Sequence, residues 1–146
     1  MAKRKKRIVV LLDTSVLVNA WANPRGKSAS AIVWQLWLGR EIQFAVSALV
    51  VGEYFAVLER LGYSAKRIQE FSERLATRRT VTWVNLGRRL EFERDIKDEP
   101  ILSTAHSAQV EYLITLDRDM LEMPLAQHRR FKFEIVTPAQ FLERIA

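Results

Sequence analysis

Apolar residues along this chain fall into two rhythms, and the rhythms alternate. "RIVVLL" (7–12) is a short, β-branched apolar run, which predicts a buried strand. "SASAIVWQLWLG" (28–39) has helical spacing and ends at Gly39, a residue suited to a C-cap. "IQFAV" (42–46) predicts a second strand. Ser47 then reads as the N-cap of "ALVVGEYFAVLERLG", which Gly62 ends. A further helix starts at Ser64 and runs to about Thr77, so the two form a helical hairpin. "TVTWV" (80–84) alternates like a strand. "DEPILSTAHSAQ" (98–109) predicts a helix with Pro100 in its first turn, where the missing N–H matters little. "EYLITL" (111–116) and "FEIV" (133–136) predict strands. Thr137, Pro138 and Gln140 then have capping-box spacing and open a last helix.

Strands alternating with helices predict the α/β class: one domain with a central parallel sheet and helices on both faces. A length of 146 residues also favours one domain. Roughly 70% of the unfolded surface is buried at this size, enough for a core without staples. No repeat, low-complexity segment or linker interrupts the pattern. The predicted division is a basic arm over 1–7 and the domain over 8–146. In such sheets ligands gather outside the carboxyl ends of the strands.

Composition adds exclusions. Apolar residues make up 49% and charged residues 27%, an ordinary globular mixture. The absence of cysteine excludes disulfides and thiolate metal sites and points to a reducing cytoplasm. No apolar run approaches the ~20 residues of a membrane span. The charged start is followed by an apolar run that Asp13 cuts short, so no targeting signal is predicted. The net charge is +6. Lys3, Arg4, Lys5, Lys6 and Arg7 form the arm, and basic pairs follow at 78–79, 88–89 and 129–130. This balance suits a polyanion such as nucleic acid. For any single pair, a solvated surface is the simpler reading.

The acids change the picture most. The chain has five aspartates: Asp13, Asp95, Asp98, Asp117 and Asp119. Asp13 and Asp117 directly follow strands. Asp98 opens a helix. Each therefore falls at or near the carboxyl edge of the predicted sheet. Glu53 lies about two turns into a helix that begins at that edge. Each has a plain structural alternative. Asp13 and Asp98 suit N-caps, Asp117 suits a turn, and Glu53 suits a surface position or a pair with Arg60. Together these alternatives weaken, because the topology gathers the acids. Converging carboxylates repel each other unless protons or a cation relieve them. Oxygen ligands select Mg²⁺ or Mn²⁺. His106 and His128 lack the spacing of a zinc site. Such a site in a basic protein points to phosphodiester chemistry.

The stretches "VVLLDTSVLV", "SALVVGEYFAVL", "RDIKDEPILSTAHSAQVEYLITLDRDML" and "FEIVTPAQFL" together resemble PIN-domain proteins, and among them the small VapC-type ribonuclease toxins of toxin–antitoxin pairs. The third stretch carries most of the likeness, with Asp98 before Ile101-Leu102, then "LITLD" ending in Asp117, then Asp119. The resemblance implies that Asp13, Glu53, Asp98 and Asp117 form a catalytic quartet. Asp13, Asp98 and Asp117 would hold Mg²⁺ or Mn²⁺, and Glu53 would be a ligand or hold water. Thr14, Ser15 and Asp119 would be accessory. It further implies cleavage of RNA, a cognate antitoxin and a homodimer, with no membrane association. Lys5, Arg7, Arg129 and Arg130 are candidates for RNA contact. The basic arm lies outside the family's pattern. Two readings share the fold: a catalytically silent nucleic-acid-binding module and a housekeeping RNA-processing nuclease. A phosphohydrolase with an aspartyl nucleophile fits less well, because Ser15 stands where its second aspartate belongs. Tyr54, Phe55, Leu58, Leu61, Tyr63, Ile68 and Phe71 of the helical hairpin, with Trp34 and Trp37, are expected mostly in the core. A surplus is expected to form a dimer surface or an antitoxin groove.

Overall fold

The computed structural model describes residues 6–86, 99–123 and 131–146. Five strands form one parallel sheet in the order β3-β2-β1-β4-β5. They are β1 (Ile8–Leu12), β2 (Ile42–Val46), β3 (Val81–Trp83), β4 (Tyr112–Ile114) and β5 (Glu134–Val136). Seven helices accompany them among the described residues: α1 (Thr14–Ala22), α2 (Ala29–Leu38), α3 (Ala48–Arg60), α4 (Ala65–Leu75), α5 (Glu99–Ala108), α6 (Arg118–Leu121) and α7 (Pro138–Ile145). The α/β class and the parallel sheet expected from the apolar rhythm are therefore present.

The sheet is apolar because both of its faces are covered. Val10, Leu11 and Leu12 of the central strand are all buried. Phe44, Val10 and Tyr112 stand side by side in register, so their side chains share a face. Trp37 of α2 stacks on Phe44 at 4.3 Å. Phe141 of α7 meets Tyr112 edge-on at 5.4 Å. Trp21, Trp34 and Phe71 extend this aromatic core between α1, α2 and α4. Of the hairpin residues, Tyr54, Leu58, Ile68 and Phe71 are buried, whereas Leu61 is exposed.

The caps follow the chemistry of the sequence. Ser28, Ser47 and Ser64 each accept the backbone N–H three residues on. Thr137 and Gln140 close a reciprocal capping box. Gly62 follows the end of α3 at φ +86°, a left-handed conformation that glycine adopts without strain. Two details differ from expectation. The strand expected over 111–116 is shorter, because the Leu116 N–H goes to Ser15 Oγ instead of a neighbouring strand. The short α6 directly after Asp117 was not anticipated.

The strand order also locates a crevice. The chain moves from β1 outward to β2 and β3, then returns to place β4 on the other side of β1. Connections at the carboxyl ends of β1 and β4 therefore leave in opposite directions, the arrangement in which open α/β sheets bind ligands. No helix among the described residues is long and apolar enough to cross a membrane.

Candidate active site

Asp13 is the residue after β1, and its N–H still donates to Ile114 O across the sheet at 2.9 Å. Its extended backbone makes it the N-cap of α1. Oδ1 accepts from the Thr14 N–H at 2.9 Å. Oδ2 accepts from Ser15 Oγ at 2.9 Å and from Thr115 Oγ1 at 2.7 Å. Three donors on a half-buried carboxylate offset the cost of placing a charge against an apolar strand.

Thr115 joins this acid to the next. Its hydroxyl donates to Asp13 and accepts from the Asp117 N–H at 2.9 Å. It is completely buried. Asp117 caps α6, and its Oδ1 accepts from the Asp119 N–H at 2.9 Å. A second relay runs the other way. Thr14 donates its backbone N–H to Asp13 and its hydroxyl to Glu53 Oε2, the latter at 3.0 Å. Glu53 reaches this point from α3 and is exposed. Thr14 thus links Asp13 to Glu53, and the Thr115 hydroxyl links Asp13 to the backbone N–H of Asp117, at the switch point of the sheet.

Tyr54 reports the field between the acids. Its hydroxyl is buried and donates to Leu12 O, the last carbonyl of β1. Burial pushes the phenol well above its ordinary value, and the charges of Asp13 and Glu53 push it further. The group therefore remains a protonated donor at neutral pH. On the α3 and α5 side, Ser47 and Thr104 share a buried hydrogen bond of 2.8 Å, and Thr104 also donates to Pro100 O at 2.6 Å. These bonds fasten the start of α5 to the start of α3.

The expected residues fall into three groups. Asp13, Glu53, Asp117, Thr14, Ser15 and Asp119 come together at the carboxyl edge. Asp98, Asp95, Lys5, Arg129, Arg130 and His128 lie outside the described residues. Arg7 sits at the opposite edge, where its guanidinium donates to the backbone oxygens of Arg40 and Arg79. His106 is exposed on α5. The sequence assigns Thr115 no role and places Tyr54 only among the hairpin residues expected mostly in the core, where it lies. Thr115 had a signal, since a hydroxyl in the apolar run "LITL" is unpartnered unless something beside the strand needs it.

Among the described residues no group of three or more His, Cys, Asp or Glu side chains is disposed to hold a metal ion. The donors that do converge are all oxygens: carboxylates of Asp13 and Glu53, hydroxyls of Thr14 and Ser15. After burial, the charges of Asp13 and Glu53 both raise the Tyr54 phenol. This donor chemistry fits a hard divalent cation and not a thiolate- or imidazole-bound one.

A five-stranded parallel sheet with hydrogen-bonded acids at its switch point defines an α/β fold with a candidate acidic site. The family model for the PIN domain matches residues 9–119, well over half of the chain, and the chain belongs to that family. PIN domains are generally nucleases, and they typically use divalent metal ions. No curated protein matches the chain.

Proposed function

We propose that this protein is a divalent-metal-dependent endoribonuclease and the toxin of a type II toxin–antitoxin pair. The observation that carries the catalytic part is the hydrogen-bonded set of Asp13, Thr14, Glu53, Thr115 and Asp117 at the carboxyl edge. Asp13, Asp98 and Asp117 would hold Mg²⁺ or Mn²⁺, with Glu53 as a further ligand or a holder of water. When bound, the ion supplies positive charge to the phosphoryl oxygens and makes water a better nucleophile. The chain's own residues do the positioning. Ser15 and Thr115 fix the rotamer of Asp13. Thr14 holds Glu53 toward it. Tyr54 anchors the end of β1, and Asp119 continues the acidic edge. No protein nucleophile is required.

The toxin role brings a cognate antitoxin and a homodimer with it, in the cytoplasm. A protein that arrests growth when expressed alone, and is relieved by the product of an adjacent reading frame, has that role. The catalytic reading is tested with an end-labelled structured RNA and metal-stripped protein. Cleavage should return with Mg²⁺ or Mn²⁺ and be lost in Asp13→Asn and Asp98→Asn. Cleavage that persists in both variants would falsify the site. No cleavage by antitoxin-free protein would favour a silent binding module.

A further inference from the structure

The edge of the sheet opposite the acids carries the reverse charge. A hollow of about 760 Å³ opens beside Ile8 and Ile42, where β1 and β2 begin. Lys6, Arg7, Arg40 and Arg79 line it, with Glu41 as the acid among them. A second hollow of about 1030 Å³ lies between α2 and α4. It shares Arg40 and Arg79 with the first and adds Arg25, Arg67 and Arg74, beside Glu70 and Glu73. The two hollows therefore form one surface, with cations in clear excess.

This surface is organised. Arg7 donates through Nε to Arg40 O at 2.7 Å and through Nη1 to Arg79 O at 3.1 Å, clamping two loops from one guanidinium. The clamped residues keep their own side chains exposed. Among the described residues none of Arg25, Arg40, Arg74 and Arg79 is in an ion pair, so each exposed guanidinium is open to an anionic partner. Arg40 also has φ 61°, in the position after a helix where glycine is the usual occupant. A long cation there works against the backbone. Exposed guanidiniums in excess over the three neighbouring glutamates favour a ligand rich in anionic oxygens.

We infer that this surface binds the phosphate backbone of the RNA whose cleavage is proposed above, and the inference rests on that reading. Five residues of β1 separate this edge from Asp13, roughly 17 Å at strand spacing. The substrate is therefore an RNA that extends several nucleotides beyond the scissile phosphate and reaches both edges of the sheet.

Binding of a labelled structured RNA is measured in chelator, over a salt series, so no turnover enters. The double variant Arg40→Gly/Arg79→Ala should bind ~10-fold more weakly at 0.1 M salt, and its slope of log affinity against log salt should fall by about 1.4–1.8. Melting temperature controls for folding, and glycine suits the backbone at position 40. Unchanged affinity and slope overturn the inference. So does displacement of the RNA by polyglutamate at lower concentration than by unlabelled RNA, which would assign the surface to an acidic protein. Altered binding in a protein that cuts no RNA defeats the nuclease reading alone. Metal-dependent cleavage with unaltered binding defeats this one alone.

Discussion

The two edges of the sheet use opposite kinds of side chain. At the carboxyl edge the functional groups are short: Asp13, Thr14, Ser15, Thr115 and Asp117, linked by hydrogen bonds of 2.7–2.9 Å around Asp13. Such side chains have little rotamer freedom to lose. At the amino edge the groups are arginines with exposed side chains, each carrying ~2 kcal/mol of rotamer entropy. One edge is ordered before any ligand arrives. The other presents charge density and leaves its geometry to the partner. Substitutions at the first should therefore act through single atoms, and those at the second through salt-sensitive sums.

The sharpest way to break this contrast is Asp13→Asn. The amide keeps an oxygen for the Thr14 N–H, so the cap on α1 survives, but its nitrogen cannot accept from Ser15 Oγ and Thr115 Oγ1, and stability should fall by about 2–3 kcal/mol. The negative charge is lost. Cleavage of labelled RNA should fall by about 10²–10³, the scale for removing one preorganised electrostatic group. An unaltered rate would mean that Asp13 is only a cap, and the two edges would no longer differ in kind.

Thr115 sharpens the comparison on the side of stability. Thr115→Val keeps the shape and removes the hydroxyl. Asp13 Oδ2 then loses a donor, and the part-buried Asp117 N–H loses its acceptor. The expected loss is about 2–3 kcal/mol in urea unfolding. Thr115→Ser keeps the hydroxyl, deletes one methyl and should lose only ~1 kcal/mol. Equal stability of the two variants would show that the hydroxyl does not hold the acids.

Much of the carboxyl edge was legible in the sequence. A lone acid that ends an apolar run is conspicuous, and alternation of strands with helices places such acids at one edge. Caps were legible for the same local reason, since Ser47 and its N–H partner are three residues apart. The connections made by Thr115 were not legible, because Asp13 lies 102 positions away in the chain. Arg7 shows the converse. It reads as one of five consecutive cations, yet its donors are spent on two carbonyls, 33 and 72 residues on. Charge runs reveal an overall field, and only the fold decides which member is a strut and which faces the solvent. The short β4 has a similar origin, since its ladder ends where Ser15 takes over the Leu116 N–H.

Tyr54→Phe tests the floor of the ordered edge. Removing the hydroxyl leaves Leu12 O without this buried donor. The variant should be less stable by about 1–2 kcal/mol in urea unfolding. A neutral result would mean that the end of β1 is held by the sheet alone.

The smallest expected effect has the opposite sign. Arg40 occupies a left-handed conformation at φ 61°, where an L side chain crowds the following carbonyl by roughly 1–2 kcal/mol. Arg40→Gly removes that crowding and adds chain entropy to the unfolded state, a loss of about 0.5–1 kcal/mol. The Arg7 bond to residue 40 uses the backbone oxygen and survives the substitution. Net stability should rise by about 0.5 kcal/mol in urea unfolding, the difference between these two terms. At the carboxyl edge every substitution considered above leaves stability unchanged or lowers it, because its side chains are bonded into the fold. A gain at position 40 would show that this arginine opposes the fold that carries it, as expected of a side chain kept for a ligand. A loss would mean that its aliphatic stem is packed against the strand ends, and the amino edge would then be built like the other.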